Sequence, residues 1–358
     1  MYLKKVISRT AFFIGGTALL VTASCKKNND GNDTDAAALN TEILSNTATG
    51  VCLASYQDLA DKSGQLLTAV QTLNTTTTDD NLASCRALWK SIRETWERSE
   101  AWLVGPVAVD EIDPRIDTWP VDFNDLNSIL SSGATLDDAY IDGLEESLKG
   151  FHPIEYLLWG QDGDKAAASF TDKEKEYLLG LSQNLKKLSE EVKDSWTGGY
   201  TTLLATAGAA GNTEYPTKKA AFEALVDGMA GICDEVANGK MKDPYELEDP
   251  TQEESPFAQN SIIDFTNNIK GIMDMYQGKF INDGKGIEDL VRHYNLALDN
   301  KIKEAHGTAV AALSAIDVPF GEAIIDQKPK VENAMAKIND LASVLDSELK
   351  PFLQQYGQ

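Results

Sequence analysis

The stretch "RALWKSIRETWERSEAWLVG", residues 86–105, decides the fold class. At about 100° per residue, Trp89, Ile92, Trp96, Ser99 and Leu103 fall on one arc, and Lys90, Glu94, Glu97 and Ala101 on another. That period belongs to an amphipathic helix, with Trp89, Trp96 and Leu103 on its buried face. Gly105 and Pro106 stop it, and "TTTTDDN" before it supplies turn and capping residues. Glu100 lies on the edge of the buried arc beside Arg93, while Glu97 reads as turned further toward solvent. A carboxylate at the rim of an aromatic core needs a partner, so Glu100 is either paired with Arg93 or a ligand.

The same period extends outward in both directions. Residues 36–74 and 172–196 read as long helices, shorter ones are expected near 124–130 and 136–148, and later ones at 217–238, 260–277, 287–312 and 328–355. Strand signals are almost absent. The expected fold is all-α. "TGGY" at 197–200 is the clearest internal boundary, giving an N-terminal helical bundle over 37–198 and a C-terminal one over 199–358. Helix number suggests an internal duplication, although no clean repeat appears in the sequence. The longest non-periodic run, "VAVDEIDPRIDTWPVDFND" at 107–125, is rich in acids, and irregular backbone inside a helical protein is where binding groups are commonly presented.

The first residues read as a targeting segment. Lys4, Lys5 and Arg9 precede a short apolar run that ends in small residues before Cys25, too short and wrongly flanked for a spanning helix. Residues 1–24 resemble a bacterial lipoprotein signal, with Thr22 where leucine is usual; Cys25 would then carry the lipid. The alternative is a plain secretory signal cleaved near Ala23. Residues 25–36 read as a flexible tether. The expected location is the cell envelope, lipid-anchored, at the outer membrane. A net charge of −24 disfavours nucleic acid and anionic headgroups as partners, leaving the lipid as the membrane contact. Beyond Cys25 the cysteines are Cys52, Cys85 and Cys233, without metal-binding or redox spacing. Cys52 and Cys85 can be a disulfide or, like Cys233, small buried residues.

The chemistry concentrates in "GFHPIEYLLWGQD", residues 150–162, in a chain with three histidines. On a helix, His152 and Glu155 share one face, roughly 5–6 Å apart at Cβ, and can grip one ion. A capping role competes: with Pro153 at the first helical position, His152 is the cap and Glu155 reaches back to free N–H groups. Zinc-protease patterns fail locally, because the inverted H-x-x-E-H form needs histidine where Tyr156 stands, and His293 and His306 are distant in sequence. No nucleophile elbow or phosphate-binding glycine loop is present.

This stretch resembles the G-x-H-x-x-E signature of the imelysin-like family. The similarity extends to "WERSEAWLVGP" (96–106), "RIDTWPVD" (115–122) and "EESPFAQNSIIDFTNNIKGIMDMYQG" (253–278). The resemblance implies two bundle-like helical halves in the cell envelope with the motif near their junction. The family was first classed as peptidases, and many members are associated with iron acquisition. Its implied metal ligands here are His152, Glu155, Glu100, Glu97 and Asp117, with Ser255, Asn260, Asp264, Arg93 and Trp119 lining the cleft. Pro153 and the longer run before Asp117 depart from the pattern. One imidazole with several carboxylates suits iron, and also zinc or manganese. Binding of a metal ion or metal-bearing ligand for iron uptake is therefore the expected function; the alternatives are a metallopeptidase and an interaction module in which the motif only braces a helix start.

Overall fold

The long apolar-periodic stretches become helices, one of them broken in two. A computed structural model describes residues 30–109 and 112–358, and among these residues there are helices, turns and loops but no strand. Helix α1 (Asp30–Asn46) runs through a π-helical turn into α2 (Ala54–Thr75). Helix α3 (Asp79–Ser99) returns, its first turn fastened by Thr78, whose hydroxyl accepts the Asn81 N–H, with Asp79 and Asp80 well placed against the helix dipole. Helices α4 (Ile112–Asp117), α5 (Phe151–Trp159) and α6 (Asp172–Ser195) complete the first bundle. There α2 packs against α3 and α6, and α5 fits against the same two helices. The second bundle comprises α7 (Lys218–Glu235), α8 (Ser261–Gln277), α9 (Leu296–Ser314) and α10 (Lys328–Val344), with α10 on α7 and α9, and α8 on α9.

Several local expectations change. The signal segment, Cys25 and the first part of the tether lie outside the described residues. Helix α1 starts at Asp30, inside the stretch read as tether, where no proline interrupts it. The helix expected over 287–312 breaks at Asn295, whose side chain accepts the Leu298 N–H and starts α9 afresh. The acid-rich run at 107–125 contains the short helix α4. Cys52, Cys85 and Cys233 are all free and buried, as small core residues.

The two bundles meet backbone to backbone. A side chain at Gly271 in α8 would collide with the Arg98 carbonyl of α3, and one at Gly228 in α7 would come within 2.8 Å of the Ala101 carbonyl. Such contact lets α8 cover the flank of α3 that α2 and α5 leave open. Glu97, read as turned toward solvent, is consequently fully buried. A wheel drawn for one helix assigns a single buried arc, whereas α3 has neighbours on three sides.

Candidate functional site

The glycine of the 150–162 motif sets the geometry. Gly150 sits at φ +84, and a Cβ there would run into the backbone carbonyl of Ile116. Only glycine takes that conformation without strain and also leaves room for the approach. The approach brings the start of α5 onto the end of α4, placing His152 beside Asp117, the residue after Ile116.

Helix α5 begins at Phe151, not Pro153, and Gly150 at its N-cap contributes no side-chain bond. Pro153 is still within the first turn, where its missing N–H costs nothing. Glu155 does not reach back to the helix start. Its Oε1 accepts the Ala258 N–H at 2.8 Å from the loop before α8, and its Oε2 lies 3.3 Å from His152 Nδ1. The capping reading of the motif is thereby corrected: a start at Phe151 leaves His152 and Glu155 free to point into the protein.

His152 is wholly buried, with the Trp119 ring edge-on at 4.9 Å. Its Nε2 faces Asp117 Oδ1 at 3.1 Å, an ion pair when the ring is protonated. Burial opposes a charge on the ring, but Asp117 and Glu155 outweigh it and raise the pKa to about 9. Asp117 also accepts the Trp96 indole N–H at 2.7 Å and pairs with Arg93. Burial works against its charge too, yet Arg93 and His152 hold it well below the usual carboxylate range.

Arg93 is the electrostatic hub. Fully buried on α3, it pairs with Glu97 and Asp117, lies 2.9 Å from Glu254, and is 3.5 Å from Asp264. A lone buried guanidinium would be costly; four carboxylates more than offset its desolvation and raise its pKa. Asp264 is further held by the Ser255 hydroxyl at 2.6 Å and the Asn260 amide at 2.8 Å. Asn260 thus occupies the N-cap of α8 without capping it, because its side chain is committed to Asp264. Glu100 is not paired with Arg93. The Asn268 amide binds both Glu97, at 2.7 Å, and Glu100, at 2.5 Å, and Lys240 lies 3.2 Å from both Glu100 and Glu254.

Five carboxylates with little exposed side chain (Glu97, Glu100, Asp117, Glu254, Asp264) therefore face two fixed cations, Arg93 and Lys240, with Glu155 as a sixth behind His152. The excess negative charge is relieved by protons: burial lifts Glu97 to about 7 and Glu100 well above its ordinary value. At one point Asp117, His152 and Glu254 offer ligand atoms within 4.8 Å of one another, a group that could hold an ion. Of the residues expected from sequence, His152 and Asp117 meet there, with Glu155 behind His152. Glu97 and Glu100 are turned to Arg93, Asn268 and Lys240. Glu254 and Lys240 were not anticipated. Glu254 directly precedes Ser255 in "EESP", but no local spacing ties it to a histidine 102 positions earlier in the chain. A cleft of about 310 Å³, walled by Asp113, Asp117, Trp119, Lys240 and Glu254 among others, leads to this point. Among the described residues no second histidine joins His152: His306 faces the Ile269 carbonyl and His293 packs on Tyr294. The two-histidine arrangement of the zinc proteases considered above is absent there.

Comparison with known proteins agrees with this architecture. The sequence model of the imelysin family matches residues 52–347. Iron-regulated protein A of Synechococcus elongatus is 28% identical over 314 residues, spanning 85% of this chain and 84% of that protein. Two crystal structures share the fold. One, from Parabacteroides distasonis and provisionally described as an iron-regulated protein A precursor, has a TM-score of 0.78 at 23% identity over 90% of this chain and 96% of that one. The other, an imelysin-like protein from Psychrobacter arcticum, has a TM-score of 0.74 at 14% identity over 89% and 96%.

Proposed function

We propose, from the premise that the chain belongs to the imelysin family, that it binds a metal ion, iron foremost, in the cleft between its two bundles. In this reading it works in iron uptake as an envelope protein anchored through a lipid on Cys25. The observation that carries the metal assignment is the convergence of His152 Nε2, wholly buried, with Asp117 Oδ1 at 3.1 Å and with Glu254, their ligand atoms lying within 4.8 Å of one another. One imidazole with two carboxylates fits iron(II), manganese or zinc and is poor for copper(I). Glu155 fixes the ring by facing Nδ1 while the Ala258 N–H fixes Glu155, an arrangement that leaves Nε2 for the ion. Arg93 keeps Asp117 ionised, and Lys240 together with Arg93 does the same for Glu254. The choice of iron is supported by a relative named as iron-regulated.

The ion enters as a bound cation, supplying charge that the excess carboxylates now meet with protons. Anaerobic titration with Fe(II) of wild type, His152→Ala and Glu254→Ala tests this. Binding in wild type that is lost in both variants supports the reading; equal binding in all three ends it. Lipidation is tested separately, by incorporation of labelled palmitate that Cys25→Ser abolishes.

A further inference from the structure

We infer that Lys240 stands in for a second cation: its ammonium fills one half of a two-cation carboxylate cluster and so limits the metal site to a single ion. The inference rests on the metal-binding reading above and deepens it. Four carboxylates surround Lys240 Nζ, Glu100 and Glu254 at 3.2 Å, Glu235 at 3.8 Å and Glu97 at 3.9 Å. An ammonium has three hydrogens to donate, so it is offered more acidic partners than it can bond. A compact point charge enclosed by carboxylate oxygens occupies the setting that a hard metal ion takes.

Glu254 joins the two halves. Its Oε1 accepts from Arg93 at 2.9 Å and from Lys240 at 3.2 Å, and the same carboxylate completes the group with Asp117 and His152. Two-metal centres set their ions roughly 3.5–4 Å apart, a spacing that one shared carboxylate spans. The other side of the lysine half is equally fixed: the Asn268 amide holds Glu97 Oε2 at 2.7 Å and Glu100 Oε2 at 2.5 Å, the two oxygens that face Nζ. Lys240 itself ends a π-helical turn, Val236–Lys240, that follows α7 and is closed by the Met241 N–H on the Val236 carbonyl at 2.9 Å. Such turns insert a residue into a helix and recur at functional sites. The Asn238 amide ties this one to Asn339 of α10 at 2.9 Å, so the lysine is delivered from a braced segment. Lys240 lines the same cleft as Asp117, Glu100 and Glu254, so the space its side chain takes up is continuous with the approach to the proposed ligands.

Anaerobic equilibrium dialysis against Mn(II), with metal counted per chain and electron paramagnetic resonance of the bound ions, tests the inference. Wild type and Lys240→Arg, which keep the tethered charge, are expected to hold one ion with the spectrum of isolated Mn(II). Lys240→Ala is expected to hold two, spin-coupled through Glu254, and so is Lys240→Gln, which keeps a polar group for the carboxylates. The double variant Lys240→Ala/Glu100→Gln is expected to return to one, because Glu100 ligates only the second ion. If Lys240 merely braces Glu254, the neutral variants lose metal instead of gaining it. That loss, two ions in wild type, one ion in both neutral variants, or a second ion without spin coupling overturns the inference. A single wild-type ion that His152→Ala abolishes, with no second ion in the neutral variants, leaves the metal site standing; no ion in wild type removes both.

Discussion

If His152 is the metal ligand proposed above, the ion has to displace a proton from it, and the size of that effect follows from the surroundings of the ring. Burial disfavours the imidazolium, but Asp117 and Glu155 lift its pKa to about 9. At pH 7 roughly 99 molecules in 100 then carry the proton, so apparent metal affinity is about 100-fold weaker than for the neutral ring, about 2.7 kcal/mol. A metal binds only the deprotonated nitrogen, so affinity rises with pH, about tenfold per unit between pH 6 and 8, and levels off above the pKa. Glu97, held near 7 by burial, sheds part of its own proton to an incoming cation, so the release per ion exceeds one toward pH 6. Anaerobic calorimetry in pairs of buffers with different ionisation heats measures both the affinity and the number of protons. A dissociation constant that does not change between pH 6 and 8, or no proton release, would refute His152 as a ligand.

Three further outcomes follow from the same geometry. Gly150→Ala must force a β-carbon into left-handed backbone, about 1–2 kcal/mol, and against the Ile116 carbonyl, roughly 1–3 kcal/mol more, so urea denaturation should show a loss of about 2–5 kcal/mol; an unchanged midpoint contradicts the close approach. Glu155→Gln keeps an acceptor for the Ala258 N–H and removes the charge behind His152, so metal affinity should fall about 10- to 100-fold; a loss as complete as that of His152→Ala would make Glu155 a ligand itself. Native protein should leave Cys52, Cys85 and Cys233 unmodified by a thiol reagent, since burial holds all three thiols protonated, Cys85 at about 12. All three should react after unfolding, and rapid labelling of any one before unfolding tells against its burial.

The helices were legible because their signal is local. Apolar spacing in 86–105 places Trp89 and Trp96 in the core whatever the partner helix is, and both are fully buried. What α3 does with its other faces is not local. Glu97 lies on the polar arc of its own helix and is buried only because α8, over 160 residues later, approaches closely enough to require Gly271. Pro153 suggested a helix start two residues late because proline marks the first turn and not a unique position within it. Gly150 stands at the N-cap instead, and the carbonyl of Ile116, which a side chain there would strike, lies in no window around the motif.

The separation of ligands from countercharges is the part that residue types alone could not supply. Glu97, Glu100, Asp117, Glu155, Glu254 and Asp264 are equivalent as acids, and a pattern of carboxylates near one histidine treats each as a ligand. Position relative to Arg93 distinguishes them. Glu97 and Asp264 meet the guanidinium from the α3 and α8 sides, Glu100 is taken by Asn268 and Lys240, and Glu155 is turned by the Ala258 N–H to the far side of the imidazole. Only Asp117 and Glu254 touch the guanidinium and also reach toward Nε2 of His152. Arg93 thus selects two carboxylates from six. With Lys240 beside Glu254, it holds them ionised in a place where burial alone would protonate them, so the charge available to an ion at the proposed site is built by residues that no metal-binding motif would include.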